Sequence, residues 1–298
     1  MKSYNDLNTE SQNSETLDIH KLSTINILKK INDEDNKIAT IVRRSINEIK
    51  KTTELAINSV KSGGRIFYIG SGTSGRLGVL DASEIPPTYS ASKNTFIGII
   101  SGGDNALRNS IEGAEDSSEN AIKDLLPYNI NKKDTVIGIS CSGASAYVIS
   151  SLNYSKSKGA STVYLVTNPR PYMLTEVDVI IKANTGPEVI TGSTRMKAGS
   201  ATKMILNMIS TTTMIKLGKV YKNLMIDLMT VNNKLIDRGI RIIMQITGLS
   251  YEKAKKKLFE AKKSVKAAII MIKLDCGLEV ANKKIKKFNG VLSNIIND

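Results

Sequence analysis

The stretch Arg65-Ile-Phe-Tyr-Ile-Gly-Ser-Gly-Thr-Ser-Gly-Arg76 runs from an apolar segment straight into a loop of three glycines and three hydroxyl residues. A short buried strand that enters a helix through such a turn is the opening unit of a parallel α/β sheet. Four further runs have the same character: Thr95–Ile100, Thr135–Ile139, Thr162–Val166 and Val177–Ile181. Each is rich in Ile, Val, Tyr or Phe. Helical patterns separate them near 75–82, 104–111, 116–126 and 145–157. The reading is an α/β fold, a three-layer sandwich around a mostly parallel five-stranded sheet, with Arg65–Ile69 as its first strand. Ligands of such sheets bind beyond the carboxyl ends of the strands, so the loops there carry the chemistry.

Outward from this block the pattern is helical. Residues 1–34 read as an arm, with Ser23 capping a short helix from Thr24. Apolar residues then recur at helical spacing from Asp35 to Val60, and Gly63 and Gly64 stop that helix. Beyond Arg195 the spacing predicts long helices over 196–217 and 224–246. Gly248 breaks the chain, and shorter amphipathic patterns over 250–259, 263–273 and 276–288 suggest a small helical bundle. No internal repeat is read.

The 298 residues are 41% hydrophobic, enough for a sizeable core. The net charge of +14 raises the question of nucleic acid, but from Arg241 onward 13 Lys and Arg stand against 5 Asp and Glu. More than half of the excess is thus in the tail, without an RNA-binding motif, so a nucleic-acid partner is not expected. No apolar run is long enough for a membrane span and the N-terminus has no apolar leader core. Two distant cysteines form no metal or disulfide signature, which fits a reducing, cytoplasmic setting. A single histidine, His20, leaves no His-rich metal site, and acid–base work falls to other side chains.

The first loop offers Ser71, Gly72, Thr73 and Ser74 at the start of a helix, where glycine admits a close ligand and free N–H groups face an anion. Its spacing also fits GxGxxG, but the acidic residue expected downstream is absent. A second hydroxyl-rich loop, Ser140-Cys-Ser142-Gly143-Ala-Ser145, follows the third strand. Ser145 reads equally as a helix cap. Glu84 precedes Pro86 and Pro87, which should hold it at a helix end. Glu115 lies in the next βα unit. Two carboxylates at one mouth can divide into acid and base, and each alone reads as a surface residue. The loop 187–199 adds Glu188, Ser193 and Lys197 before the long helix, a third ligand loop or a capped helix start.

Four segments together resemble the N-acetylmuramic acid 6-phosphate etherase family: IGSGTSGRLGVLDASEIPPTY (69–89), EGAED (112–116), PEVITGSTRMKAG (187–199) and LNMISTTTMIKLGKVYKNLMIDL (206–228). The similarity begins near residue 7 and reaches the C-terminus. It implies three regions: an N-terminal arm and helix (1–55), a sugar isomerase phosphosugar-binding domain (56–219) and a helical C-terminal region (220–298). It implies a phosphosugar substrate, no cofactor, and a homodimer with sites near the subunit interface. By the same resemblance Glu84 matches the proton donor and Glu115 the second catalytic carboxylate, with Glu84 raised in pKa and Glu115 ionised. The phosphosugar falls to the two hydroxyl loops. The chain departs from the family where Arg-Thr-Pro-Tyr is usual, since Ala144-Ser-Ala146-Tyr147 stands there, and Lys222 occupies a position where glycine is common. An aldose–ketose phosphosugar isomerase and a non-catalytic phosphosugar sensor are the rival readings.

Overall fold

In the computed structural model, which describes residues 7–296, five strands form one parallel sheet. They are β1 (Ile66–Gly70), β2 (Phe96–Ile100), β3 (Thr135–Ile139), β4 (Ser161–Val166) and β5 (Val179–Lys182), in the order β2-β1-β3-β4-β5. The five expected runs are therefore strands, Thr135–Ile139 unchanged and the others within two residues at their ends. β1 and β3 are buried along their whole length, which is why these runs show no polar alternation. The chain turns from β1 to β2 on one side, while β3 pairs with β1 on the other, Ile69 opposite both Ile99 and Gly138. The carboxyl ends of β1 and β3 thus flank the point where the strand order reverses, the place where open α/β sheets bind ligands.

Three helices precede the sheet: α1 (Thr24–Asp35), α2 (Ile38–Arg43) and α3 (Ile46–Lys61). The expected single helix from Asp35 to Val60 is broken before Ile46, where the buried Ser45 donates its hydroxyl to the Lys182 carbonyl at the end of β5 (2.9 Å). α4 (Gly72–Tyr89) follows β1 and runs on through Pro86 and Pro87. The expected stop near 82 is overridden because both prolines lie in the last turn, where only the Ala82 and Ser83 carbonyls lose donors. Between β2 and β3 come α5 (Asn105–Arg108), a 3-10 turn (Ala114–Asp116) and α6 (Ser118–Leu125). The helix expected over 104–111 shrinks to α5, since Arg76 takes the carbonyls of Leu107 (3.2 Å) and Asn109 (3.0 Å) and Asn109 is extended. α7 (Ala146–Ser157) links β3 to β4, and α8 (Lys197–Lys216) follows the sheet. One sheet face packs Phe67, Ile69, Val136, Tyr164 and Val166 against Leu125 of α6 and Tyr147, Val148 and Leu152 of α7.

The described chain separates into two compact units. One comprises the chain up to Ser83 with Asn94–Ser210 and holds the sheet; the other comprises Glu84–Lys93 and the chain from Thr211 onward. The second unit contains a hairpin, β6 (Val220–Tyr221) and β7 (Leu224–Met225), then α9 (Asn233–Thr247), α10 (Tyr251–Glu260), α11 (Val265–Lys273), α12 (Leu278–Lys287) and α13 (Leu292–Ile296). The helix expected from 224 begins nine residues later at α9, where the Asn232 side chain accepts from the Leu235 N–H at 2.9 Å. Upstream, Lys222 at φ +54° turns the hairpin instead. Apolar residues at 224–228 serve the hairpin and the unit's core, and their spacing imitated a helix.

Two turns between helices of the second unit have the same form. α10–α11 and α12–α13 are both helix pairs joined through two left-handed residues, Lys262–Lys263 (φ +51° and +65°) and Asn289–Gly290 (φ +51° and +76°). Lys263 N–H reaches the Leu258 carbonyl and Gly290 N–H the Ile285 carbonyl, each at 2.8 Å. Lysine in place of the glycine that suits this conformation hides the correspondence.

Candidate functional site

The turn from β1 to α4 closes as tightly as a backbone allows. A Cβ on Gly70 would lie 2.7 Å from the Gly75 nitrogen, and one on Gly75 2.6 Å from the Gly70 oxygen. Only glycines permit this contact, and it places the first turn of α4, with its free N–H groups, directly over the strand end. Ser71, Gly72, Thr73 and Ser74 are carried on that turn.

The second loop folds back on itself from β3. Ser140 N–H bonds the Leu165 carbonyl (3.0 Å), Gly143 N–H bonds the Ser140 carbonyl (3.2 Å), and the Ser142 hydroxyl accepts from Ala144 N–H (3.2 Å). Gly143 has φ +76°, and a Cβ there would meet Pro171 at 2.3 Å. Ser145 caps α7 by accepting from Val148 N–H (3.4 Å). Its oxygen also lies 3.1 Å from that of Ser71, and it donates to the Glu115 carbonyl at 3.2 Å. The helix-cap and ligand-loop readings of Ser145 therefore coexist.

Together these loops wall a cleft of about 150 Å³ lined by Ser71, Gly72, Thr73, Ser74, Ser140, Ser142, Ser145 and Glu115. Three more residues line it: Ile139 at the end of β3, Cys141 and Thr194. Cys141 is buried beside the Ser74 hydroxyl (3.5 Å), and burial pushes its thiol pKa up, so it is neutral. A thiol in a serine-rich loop carries no sequence signal of its own. Thr194 adjoins Ser193, and nothing in the loop's composition favours one hydroxyl over the other.

Gly143, Glu188, Ser193 and Lys197 are not on the cleft wall. Gly143 shapes the second loop. Glu188 (1% exposed) accepts from Lys197 N–H (3.0 Å) and Ala198 N–H (2.9 Å), and so caps α8. Burial raises its pKa, against the pull of those N–H groups and of the Lys197 charge. Lys197 (2% exposed) is ion-paired with Glu34 of α1. Burial works against the Glu34 charge, but its hydrogen bonds and charge contacts with Lys197 and Lys37 prevail and hold the pKa below the ordinary value. The N-terminal arm adds two ties: Gly192 N–H to the Thr9 carbonyl (3.1 Å) and the Thr16 hydroxyl to the Val189 carbonyl (3.0 Å). Glu34, Glu188 and Lys197 thus hold the loop that presents Thr194.

Glu115 lies on the 3-10 turn after Gly113, itself at φ +72°. The residue is exposed on this turn, yet the cleft wall takes part of the water from its carboxyl. That partial desolvation first, and then the carboxylates of Asp116 and Glu112, raise its pKa above the usual value. A carboxylate made more basic in this way is a better proton acceptor. Glu115 also lines a second cleft of about 140 Å³ with Ser71, Gly72, Arg76, Ser101, Ser110 and Glu112. Glu84 is exposed on α4, within the second unit, so no burial in this chain withdraws its carboxyl from solvent.

A family model described as the glucokinase regulatory protein N-terminal SIS domain matches residues 48–156. The N-acetylmuramic acid 6-phosphate etherase of Caldanaerobacter subterraneus subsp. tengcongensis is 47% identical over 98% of this chain and 95% of its own length. That of Mycoplasma mycoides subsp. mycoides is 50% identical over 91% of each chain, and that of Bacillus subtilis 46% identical over 97% and 95%.

Proposed function

The chain belongs to the N-acetylmuramic acid 6-phosphate etherase family, and we propose that it is a carbon–oxygen lyase acting on that phosphosugar. It cleaves the D-lactyl ether at C3 and gives N-acetylglucosamine 6-phosphate and D-lactate. An ether resists direct hydrolysis because an alkoxide leaves poorly. Opening of the sugar ring exposes an aldehyde at C1 that acidifies the C2 proton. A base removes that proton, the C3–O bond breaks, and lactate departs as its oxygen is protonated. Water then adds to the unsaturated aldehyde at C3.

Glu115 is the base in this reading, and Glu84 protonates the departing oxygen. Each role is worth about 10²–10⁴-fold in rate. The phosphate lies among Ser71, Thr73, Ser74, Ser140, Ser142 and Ser145, against the amide end of α4. The single observation that carries the reading is Glu115 in the wall of a cleft built from both hydroxyl loops.

Glu84 is on the wall of neither cleft that Glu115 lines. We therefore assign the Glu84 that serves a given cleft to a second copy of the chain. The functional unit is then a cytoplasmic homodimer in which each cleft is completed by the partner's Glu84. Residues 56–219 serve as its phosphosugar-binding domain and 220–298 as its helical region, with Gly143, Glu188, Ser193 and Lys197 shaping the substrate loops.

Incubation of the purified chain with N-acetylmuramic acid 6-phosphate should release D-lactate in step with N-acetylglucosamine 6-phosphate. Binding without lactate release would overturn the reading. It would favour a phosphosugar sensor, the reading closest to the match with a regulatory protein's domain.

A further inference from the structure

Glu115 stands in a wall shared by two clefts, and we infer that the second cleft, through Arg76, receives the carboxylate of the substrate's lactyl group. The inference rests on the etherase reading. The substrate carries two anionic groups, a phosphate on C6 and a carboxylate on the substituent of C3; the C3–O bond that breaks lies between them, with C2 attached to C3. A base that takes the C2 proton therefore needs an anion site on either side. Ser71, Gly72 and Glu115 form the partition between two such spaces.

The two spaces differ in chemistry. The first is lined by hydroxyls and helix amides and by no lysine or arginine among the described residues. It suits a phosphate, which accepts many hydrogen bonds from neutral donors. The second has Arg76, the one cation in either wall among the described residues. Arg76 is oriented by its Nε bond to the Leu107 carbonyl (3.2 Å) and its Nη2 bond to the Asn109 carbonyl (3.0 Å). A guanidinium has five N–H donors, and Nη1 has no partner among the described residues, so a face remains for a planar carboxylate. Glu112 shares this wall and accepts from the Ser110 hydroxyl at 2.8 Å. Its charge opposes an incoming carboxylate, which makes Arg76 the element that admits one.

The test compares kcat/KM for N-acetylmuramic acid 6-phosphate with that for its lactamide, where a neutral amide replaces the carboxylate. Wild type should prefer the acid. Arg76→Gln should lower the acid-to-amide ratio about tenfold or more, the usual effect of losing a charge-assisted bond. Arg76→Lys should regain part of it, and Glu112→Gln should raise the ratio. A purely structural role for Arg76 would lower both rates together, and an unchanged ratio in Arg76→Gln overturns the assignment. If that variant does not fold, the Glu112→Gln ratio decides, a rise supporting the assignment and no change overturning it. Failure of wild type to release lactate from the acid overturns the etherase reading, and this assignment with it.

Discussion

The hydroxyl oxygens of Ser71 and Ser145 lie 3.1 Å apart, joining the loop after β1 to the loop after β3. Ser145 accepts from Val148 N–H and donates to the Glu115 carbonyl, so the Ser71 hydroxyl is the donor between them. One serine thereby links a helix cap, the hydroxyl loop after β1 and the backbone of the proposed base. The two positions should respond differently to mutation. Ser145→Ala removes a cap and should cost about 1 kcal/mol of stability, as well as weakening phosphosugar binding. Ser71→Ala should weaken binding with little change in stability. Urea unfolding beside calorimetric titration with N-acetylglucosamine 6-phosphate separates the two, and equal unfolding midpoints would contradict the capping role.

If Glu84 acts on the neighbouring subunit's cleft, inactive variants should complement each other. Glu84→Gln and Glu115→Gln should each lose lactate release, by about 10²-fold or more. In a mixed dimer one cleft combines two mutated groups and the other combines two intact ones. Random exchange of subunits in an equal mixture should then restore about a quarter of wild-type activity for a C2 dimer. A mixture that stays inactive after unfolding and refolding together would place both glutamates in one chain's own cleft.

The raised pKa of Glu115 sets the direction of the pH dependence. A base must be ionised, so the acid limb of kcat/KM should lie above the ordinary carboxylate value of 4.5. Glu112→Gln removes one of the charges that raise it, and the limb should move to lower pH. Stability has its own sign. A carboxyl whose folded pKa is raised contributes stability below the unfolded pKa, and loses it as pH rises through the folded one. Glu115→Gln should therefore be more stable than wild type at neutral pH. A pH–rate profile and melts at two pH values check both statements.

Glu34 and Lys197 are both nearly closed to solvent, and removal of one partner leaves a buried charge without compensation. Glu34→Gln should cost about 3 kcal/mol or more in stability at neutral pH. The Glu34 pKa is lowered by folding, so its contribution is present above the unfolded carboxylate pKa and is lost as pH falls through the folded one. The stability difference between wild type and Glu34→Gln, measured by denaturant unfolding, should accordingly shrink at acid pH. A difference that is constant with pH would mean the pair is not what holds the arm.

The five buried strands and the two hydroxyl loops were legible because burial on both faces and glycine at close contacts write themselves into composition. Pairings across long sequence distances did not. Nothing near Glu34 indicates that it meets Lys197, and a lysine in a glycine-rich loop resembles a ligand group until its partner is known. The hairpin at 220–225 failed for a different reason: Lys222 holds a left-handed turn without the glycine that usually announces one. In sequence Arg76 only ends the glycine-rich stretch, yet its guanidinium organises the chain at 107–109 and lines the second cleft.

Ala146 is the first residue of α7, with Ser145 as its N-cap, at the position where the resembling family has proline. Proline suits the first helical position because its φ is already helical and the N–H it lacks has no partner in the helix. The residue before a proline must be extended, and Ser145 already is, at φ −78° and ψ 110°. Ala146→Pro should therefore fit without strain and reduce the freedom of the unfolded chain. The expected gain is about 0.4–1 kcal/mol, read as a higher urea midpoint with an unchanged slope. Because Ser145 is tied to both Ser71 and Glu115, a stiffer start to α7 should also leave lactate release intact or improve it. A lower midpoint would show that the Ala146 backbone N–H has a role that the helix geometry does not predict.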